Sequence, residues 1–200
     1  INEATYSMVD TVSDTFLHEL VHLLSLNSEN AGAQTKVFGN WATLQWLNIP
    51  MFMIEGISVS IESYKGFGRA NDPLVKQTLR QDIYEGKFKT PIQASDFWSK
   101  RPYALYYEYG GLFSKYLQER FGIEKYNELW NVMRKKLSFS FLIYNSGFYG
   151  AFKKVYGMNF LEVWGDFQNS LTLENINPSE ELRVNNKETY ISDLTSYGDK

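Results

Sequence analysis

Both histidines of the chain, His18 and His22, stand four residues apart in "TFLHELVHLLSLN", residues 15–27, with Glu19 between them. Four residues is just over one helical turn, so the two imidazoles project from one face. Two imidazole nitrogens so placed can bind one tetrahedral zinc ion. Glu19 can then reach a water polarised by the metal and act as general base in its attack on a carbonyl. The alternative is a pair of satisfied core histidines beside a surface glutamate. Ordinary residue frequencies make a chance H-E-x-x-H rare in a chain of this length. The segment is also apolar, and an imidazole pair there needs partners for its nitrogens.

A catalytic zinc takes three protein ligands and leaves one position open. The chain has no cysteine and no third histidine, so a third ligand must be a carboxylate. Glu55 in "FMIEGISVSIES" is the candidate. Met51, Phe52, Met53, Ile54 and Ile57 surround it, and an unpaired carboxylate among them would be costly. A solvent-facing Glu55 on an amphipathic element is the competing reading. Glu62, two turns further along the same face, could hold a ligand histidine through a hydrogen bond; a plain surface carboxylate is the alternative. Tyr103, Tyr106, Tyr107 and Tyr109 crowd one stretch, and such a cluster is more often core than site. "GFGR" at 66–69 lacks the Lys-Ser/Thr that follows in a phosphate loop and reads as a turn.

The elements that must position these residues are helical by period. From about Asp10 to Leu26 apolar residues recur at Val12, Phe16, Leu17, Leu20, Val21, Leu23 and Leu24, a broad face expected to be buried. "NSENAGAQ" reads as a loop. A second helix is expected in "WLNIPMFMIEGISVSIESYKGFG", capped by Asn48, with Pro50 in its first turn and ended by Gly66 and Gly68. The alternating Ile57, Val59 and Ile61 make a strand its competitor. Asp72, Pro73 and Gly86 frame a third helix, and Gly122 closes a fourth that contains the pair Gly110–Gly111. That pair is awkward in a helix, and close packing against another helix is one physical reason for it. Further helices are expected in "EKYNELWNVMRKKL", "GFYGAFKKVYG" and "NFLEVWGDFQNSL".

With 44% apolar and 16% aromatic residues in 200, the chain can bury one substantial core. A net charge of −3 gives no electrostatic case for nucleic acid. No apolar run is long enough to span a bilayer. Without cysteine there are no disulfides and no thiolate chemistry. The chain starts at Ile1 and the motif follows within 20 residues, so a fragment of a longer protein is expected. An extracytoplasmic setting, periplasmic or secreted, is the weaker expectation that goes with this. After about Leu171 the sequence turns polar, so 1–172 reads as the domain. Residues 173–200 read as a linker or the start of a following domain.

H-E-x-x-H followed some 30 residues later by E-G resembles the gluzincins, zinc peptidases with two His ligands and one Glu. The aminopeptidase-N and leukotriene-hydrolase type is closer still. "HELVHLLSLN" is similar to its H-E-x-x-H with an Asn five residues on, here Asn27. "FMIEGISVSIES" is similar to its W-L-N-E-G-x-x-x-Y-x-E segment at Glu55, Gly56 and Glu62, with Trp, Asn and Tyr replaced. "YYEYGGLF" is similar to its Y-E-K-G segment, whose Tyr donates to the oxyanion; that falls on Tyr107, with Tyr109 in place of Lys. The layout over about residues 10–170 also resembles bacterial peptidase MA-like domains, often found before a β-propeller.

The resemblance implies a mainly α, zincin-like domain, with an edge sheet expected upstream. It implies Zn²⁺ on His18, His22 and Glu55, catalysis by Glu19 and Tyr107, and supporting roles for Glu62 and Asn27. The implied reaction is hydrolysis of a peptide or protein substrate, and a propeller could follow the domain. The family's G-x-M-E-N motif for the substrate amino terminus is absent, which leaves exopeptidase activity unsupported. An inactive zincin-fold binding module and a zinc hydrolase of non-peptide amides or esters are the competing functions. The intact Glu19 speaks against the former.

Overall fold

The structure is a computed structural model that describes residues 11–26, 49–64, 66, 68–96, 105–135 and 146–172. Asn27, Asn48, Tyr103, the expected loop after residue 27 and the segment 173–200 lie outside the described residues. Within them the protein is mainly helical, with no strand. The helices are α1 (Thr11–Leu26), α2 (Met51–Glu62), α3 (Pro73–Tyr84), α4 (Pro91–Ala94), α5 (Leu105–Phe121), α6 (Ile123–Lys135), α7 (Ser146–Tyr156) and α8 (Phe160–Leu171), with a 3₁₀ turn at Arg69–Asn71 between α2 and α3. No helix among the described residues is long and apolar enough to cross a membrane.

Local chemistry explains the ends of these helices. Asp72 caps α3 by accepting from the Leu74 N–H at 2.8 Å, and Pro73 occupies the first turn, where its missing N–H costs nothing. Asn159 caps α8 in the same way through Leu161. Pro50 takes the N-cap position of α2 rather than a place inside its first turn. Helix α4 was not foreseen in the sequence. Thr90 and Gln93 form a reciprocal capping box around Pro91, a pattern that T-x-x-Q carries.

The strand alternative for α2 fails for a physical reason. Phe52, Met53, Ile54, Ile57 and Val59 are all buried, on several sides of the rod. A helix enclosed all round shows alternation by accident, since every position faces protein. Phe52 is the hub of an aromatic core: its ring centroid lies 5.1–6.2 Å from those of Phe113, Phe148, Phe160 and Trp164. Each such buried ring contributes about 2–3 kcal/mol, so α2 is fixed by α5, α7 and α8 together.

Helices α2 and α5 touch backbone to backbone. A Cβ placed on Gly110 would sit 2.0 Å from the Phe52 carbonyl oxygen, and one on Gly56 would sit 2.4 Å from the Gly110 oxygen. Only glycine permits that approach. It sets Glu55, beside Gly56, against Tyr107, one turn before Gly110. On its other side α2 carries α1. Here one expectation is corrected. The buried stripe of α1 runs through His18, Val21 and Ser25, whereas Val12, Phe16, Leu23 and Leu24 are exposed. Leu17 and Leu26 are half-buried against the core beside that stripe, so among the described residues α1 covers only part of its apolar face.

Candidate metal centre

Glu55, Ser58 and Glu62 fall at intervals of three and four on α2, which aligns them along one face. That face meets His18 and His22 of α1. His18 Nε2 lies 3.0 Å from His22 Nε2 and 3.1 Å from Glu55 Oε2, and His22 Nε2 lies 3.1 Å from the same oxygen. The two rings stand nearly perpendicular, at 84°. Three lone-pair atoms hold such a triangle only around shared positive charge, either protons or a cation. These three residues form the cluster of the described structure able to hold a metal ion. In tetrahedral zinc coordination, bonds of about 2.0–2.1 Å leave ligand atoms roughly 3.3 Å apart. The triangle found is within a few tenths of an ångström of that, so the residues fit the ion.

Polar groups flank both imidazoles. Ser58 Oγ lies beside the His22 ring, 3.3 Å from Nδ1 and 3.4 Å from Nε2. Glu62 Oε2 lies 3.2 Å from His18 Nδ1, the contact expected for a carboxylate that orients a ligand imidazole. Glu62 is itself gripped at both oxygens: Arg69 Nε donates to Oε1 at 2.6 Å and Nη2 to Oε2 at 2.8 Å. Arg69 Nη2 also approaches His18 Nδ1 to 2.8 Å. A guanidinium only donates, so Nδ1 accepts from Arg69 when bare and donates to Glu62 Oε2 when protonated.

The electrostatics follow from these contacts. Burial by itself would raise the Glu55 carboxyl, but hydrogen bonds from His18 and His22 override it and hold the group at about 2. Burial acts on Glu62 in the same sense, and Arg69 and His18 hold it below the usual carboxylate range. Burial opposes the charged form of His18; Glu55 and Glu62 outweigh this and raise it above 6.5. Burial pushes the Tyr107 hydroxyl above the ordinary tyrosine range, with help from the charges of Glu55 and Glu19. It therefore stays a neutral O–H donor at working pH.

Of the sequence candidates, His18, His22, Glu55 and Glu62 come together directly. Tyr107 stands beside them, its ring centroid 5.8 Å from that of His18. Glu19 is exposed on α1, outside the triangle, and its charge reaches Tyr107. Tyr109 points the other way, as its two-residue offset from Tyr107 requires. It is buried, donates to Asp82 Oδ2 at 2.5 Å and accepts from the Lys89 N–H at 3.1 Å. Arg69 and Ser58 were not picked out from the sequence. Ser58 could have been found by its place one turn after Glu55, and Arg69 by the need of a buried Glu62 for a cation.

No family model matches the chain, and no solved structure matches it. It is similar to an uncharacterized protein of Treponema pallidum (strain Nichols), 27% identical over 168 residues. The match takes in 84% of this chain and spans only 14% of the length of that relative.

Proposed function

We propose that this domain is a zinc-dependent peptidase, in which His18, His22 and Glu55 hold the ion. The observation that carries the reading is the convergence of two imidazole nitrogens and a carboxylate oxygen from α1 and α2 at 3.0–3.1 Å. When bound, zinc supplies Lewis-acid polarisation of a carbonyl and brings the acidity of a water towards neutrality. Glu19, one residue from His18 and open to solvent, takes the proton of the attacking water and returns it to the departing amine. Tyr107, kept neutral by its surroundings, donates to the carbonyl oxygen as that atom gains charge. Glu62 holds the outer nitrogen of His18 and so orients the inner one.

The test is metal analysis together with digestion of a peptide library. The parent should carry one zinc per chain and cleave. Glu55→Ala should lose the zinc, and Glu19→Gln should keep zinc and fold while losing cleavage. Turnover unchanged in Glu19→Gln would sink the general-base role. A zinc-loaded parent that cleaves esters or small amides but no peptide would move the activity to another substrate class. One that cleaves nothing would leave a binding module.

A further inference from the structure

We infer that Arg69 is a positioning residue of the metal centre, fixing the His18 imidazole through Glu62 and the Tyr107 ring through its own guanidinium face. The inference rests on the zinc reading above for its purpose, though not for its geometry. Arg69 lies 51 residues from His18 and seven from Glu62. The chain returns to the site through a turn in which Gly66 and Gly68 have φ of 92° and 91°, a region L-residues rarely adopt. Gly68 is further confined, because a Cβ there would meet Ser63 Oγ at 2.7 Å. The 3₁₀ turn that follows starts at Arg69 itself, and Ala70 N donates to Ser63 Oγ at 3.0 Å. The backbone of Arg69 is thus pinned to the end of α2.

From this anchor the guanidinium reaches Glu62, His18 Nδ1 and the Tyr107 ring. It grips both oxygens of Glu62 at 2.6 and 2.8 Å, the two-point geometry that an ammonium cannot supply. That grip turns Oε2 towards His18 Nδ1. With Glu62 Oε2 at 3.2 Å and Arg69 Nη2 at 2.8 Å both set against Nδ1, the ring is held with Nε2 towards Glu55 and His22. The guanidinium carbon also lies 4.6 Å from the Tyr107 ring centroid, within cation–π range. One planar cation therefore touches a ligand's orienting group and the oxyanion donor's ring. Arg69 touches no reacting atom in this scheme.

The experiment uses three variants of the full chain: Arg69→Lys, Arg69→Met, and Arg69→Met combined with Glu62→Gln. The last removes both charges, so an unbalanced buried carboxylate cannot be the cause of any loss. Two readouts are taken: zinc affinity by competition with a chelator, and ¹⁵N spectra of the imidazoles in metal-free protein. With only two histidines in the chain, those spectra assign directly. The parent should show a single neutral ring form at His18. All three variants should show mixed ring forms and bind zinc roughly 10–100-fold more weakly. Parent-like spectra and affinity in Arg69→Lys would mean that charge alone suffices and would overturn two-point positioning. Restoration of both in the double variant would reduce Arg69 to charge balance and overturn the inference as well. A parent that binds no zinc would defeat the peptidase reading, while the metal-free spectra would still decide the role of Arg69.

Discussion

Replacing Gly110 by alanine sets two known effects against each other. In an exposed helix interior the change would stabilise by about 1 kcal/mol, since alanine loses less backbone entropy. Here the new Cβ would lie 2.0 Å from the Phe52 carbonyl oxygen and would have to retreat about 1.4 Å to reach the ordinary 3.4 Å. The obstacle is backbone, so no rotamer change relieves it, and α5 must move off α2. Overpacking of this kind costs about 3 kcal/mol. The net loss is then about 2 kcal/mol, or a midpoint about 4–8 °C lower for a chain of this size. Gly165 in α8 is the matched control: a Cβ there meets nothing within 4 Å. Gly165→Ala should raise the midpoint by about 2–4 °C. Thermal melts of metal-free protein measure both. A second consequence separates the site from the scaffold. His18, His22 and Glu55 belong to α1 and α2, so zinc affinity in Gly110→Ala should hardly change. Tyr107 moves with α5, and an ångström of misplacement costs roughly 100-fold in turnover. A Gly110→Ala protein as stable as the parent would refute the backbone contact and with it the placement of Tyr107 against Glu55.

Tyr107→Phe should lower turnover by roughly 10²–10³ with zinc content and substrate affinity nearly unchanged, because the lost hydrogen bond matters mainly in the transition state. Tyr109→Phe should do the reverse: its hydroxyl serves Asp82 and Lys89 in the core, so melts should show lost stability with turnover per folded molecule preserved. Zinc affinity should rise with pH and level off only above 6.5, because His18 holds its competing proton more tightly than an ordinary imidazole. Glu55, at about 2, is already ionised there and adds nothing to the slope. A chelator competition series that reaches its plateau below 6.5 would contradict this.

How much could be read beforehand divides along a physical line. Features set by neighbours in sequence were legible: the cap at Asp72, the glycine ends at Gly86 and Gly122, the one-turn spacing of the histidines. The close packing considered for Gly110–Gly111 was legible too, because glycine pairs in a helix have few other uses. Arg69 was not, since its contact with Glu62 depends on the path of the turn through Gly66 and Gly68, and sequence spacing gives no path. The exposed side of α1 was misjudged for a related reason. Apolar content measures what a face could bury, and only the packing partner decides how much of it is covered.

The partial cover of α1 has a thermodynamic consequence. Most of the molecule is tied together by rings from several helices at once, but among the described residues α1 covers only part of its apolar face. Two of the three candidate ligand atoms belong to α1 and the third to α2, so a bound ion would be a cross-link between α1 and the enclosed α2. Its binding energy would then appear as local order, in the protection of α1 amides against hydrogen exchange, far more than in the melting of the core. If the site carries its ion, a chelator would loosen α1 in particular. The aromatic body around Phe52 would stay folded while α1 became the part that opens first.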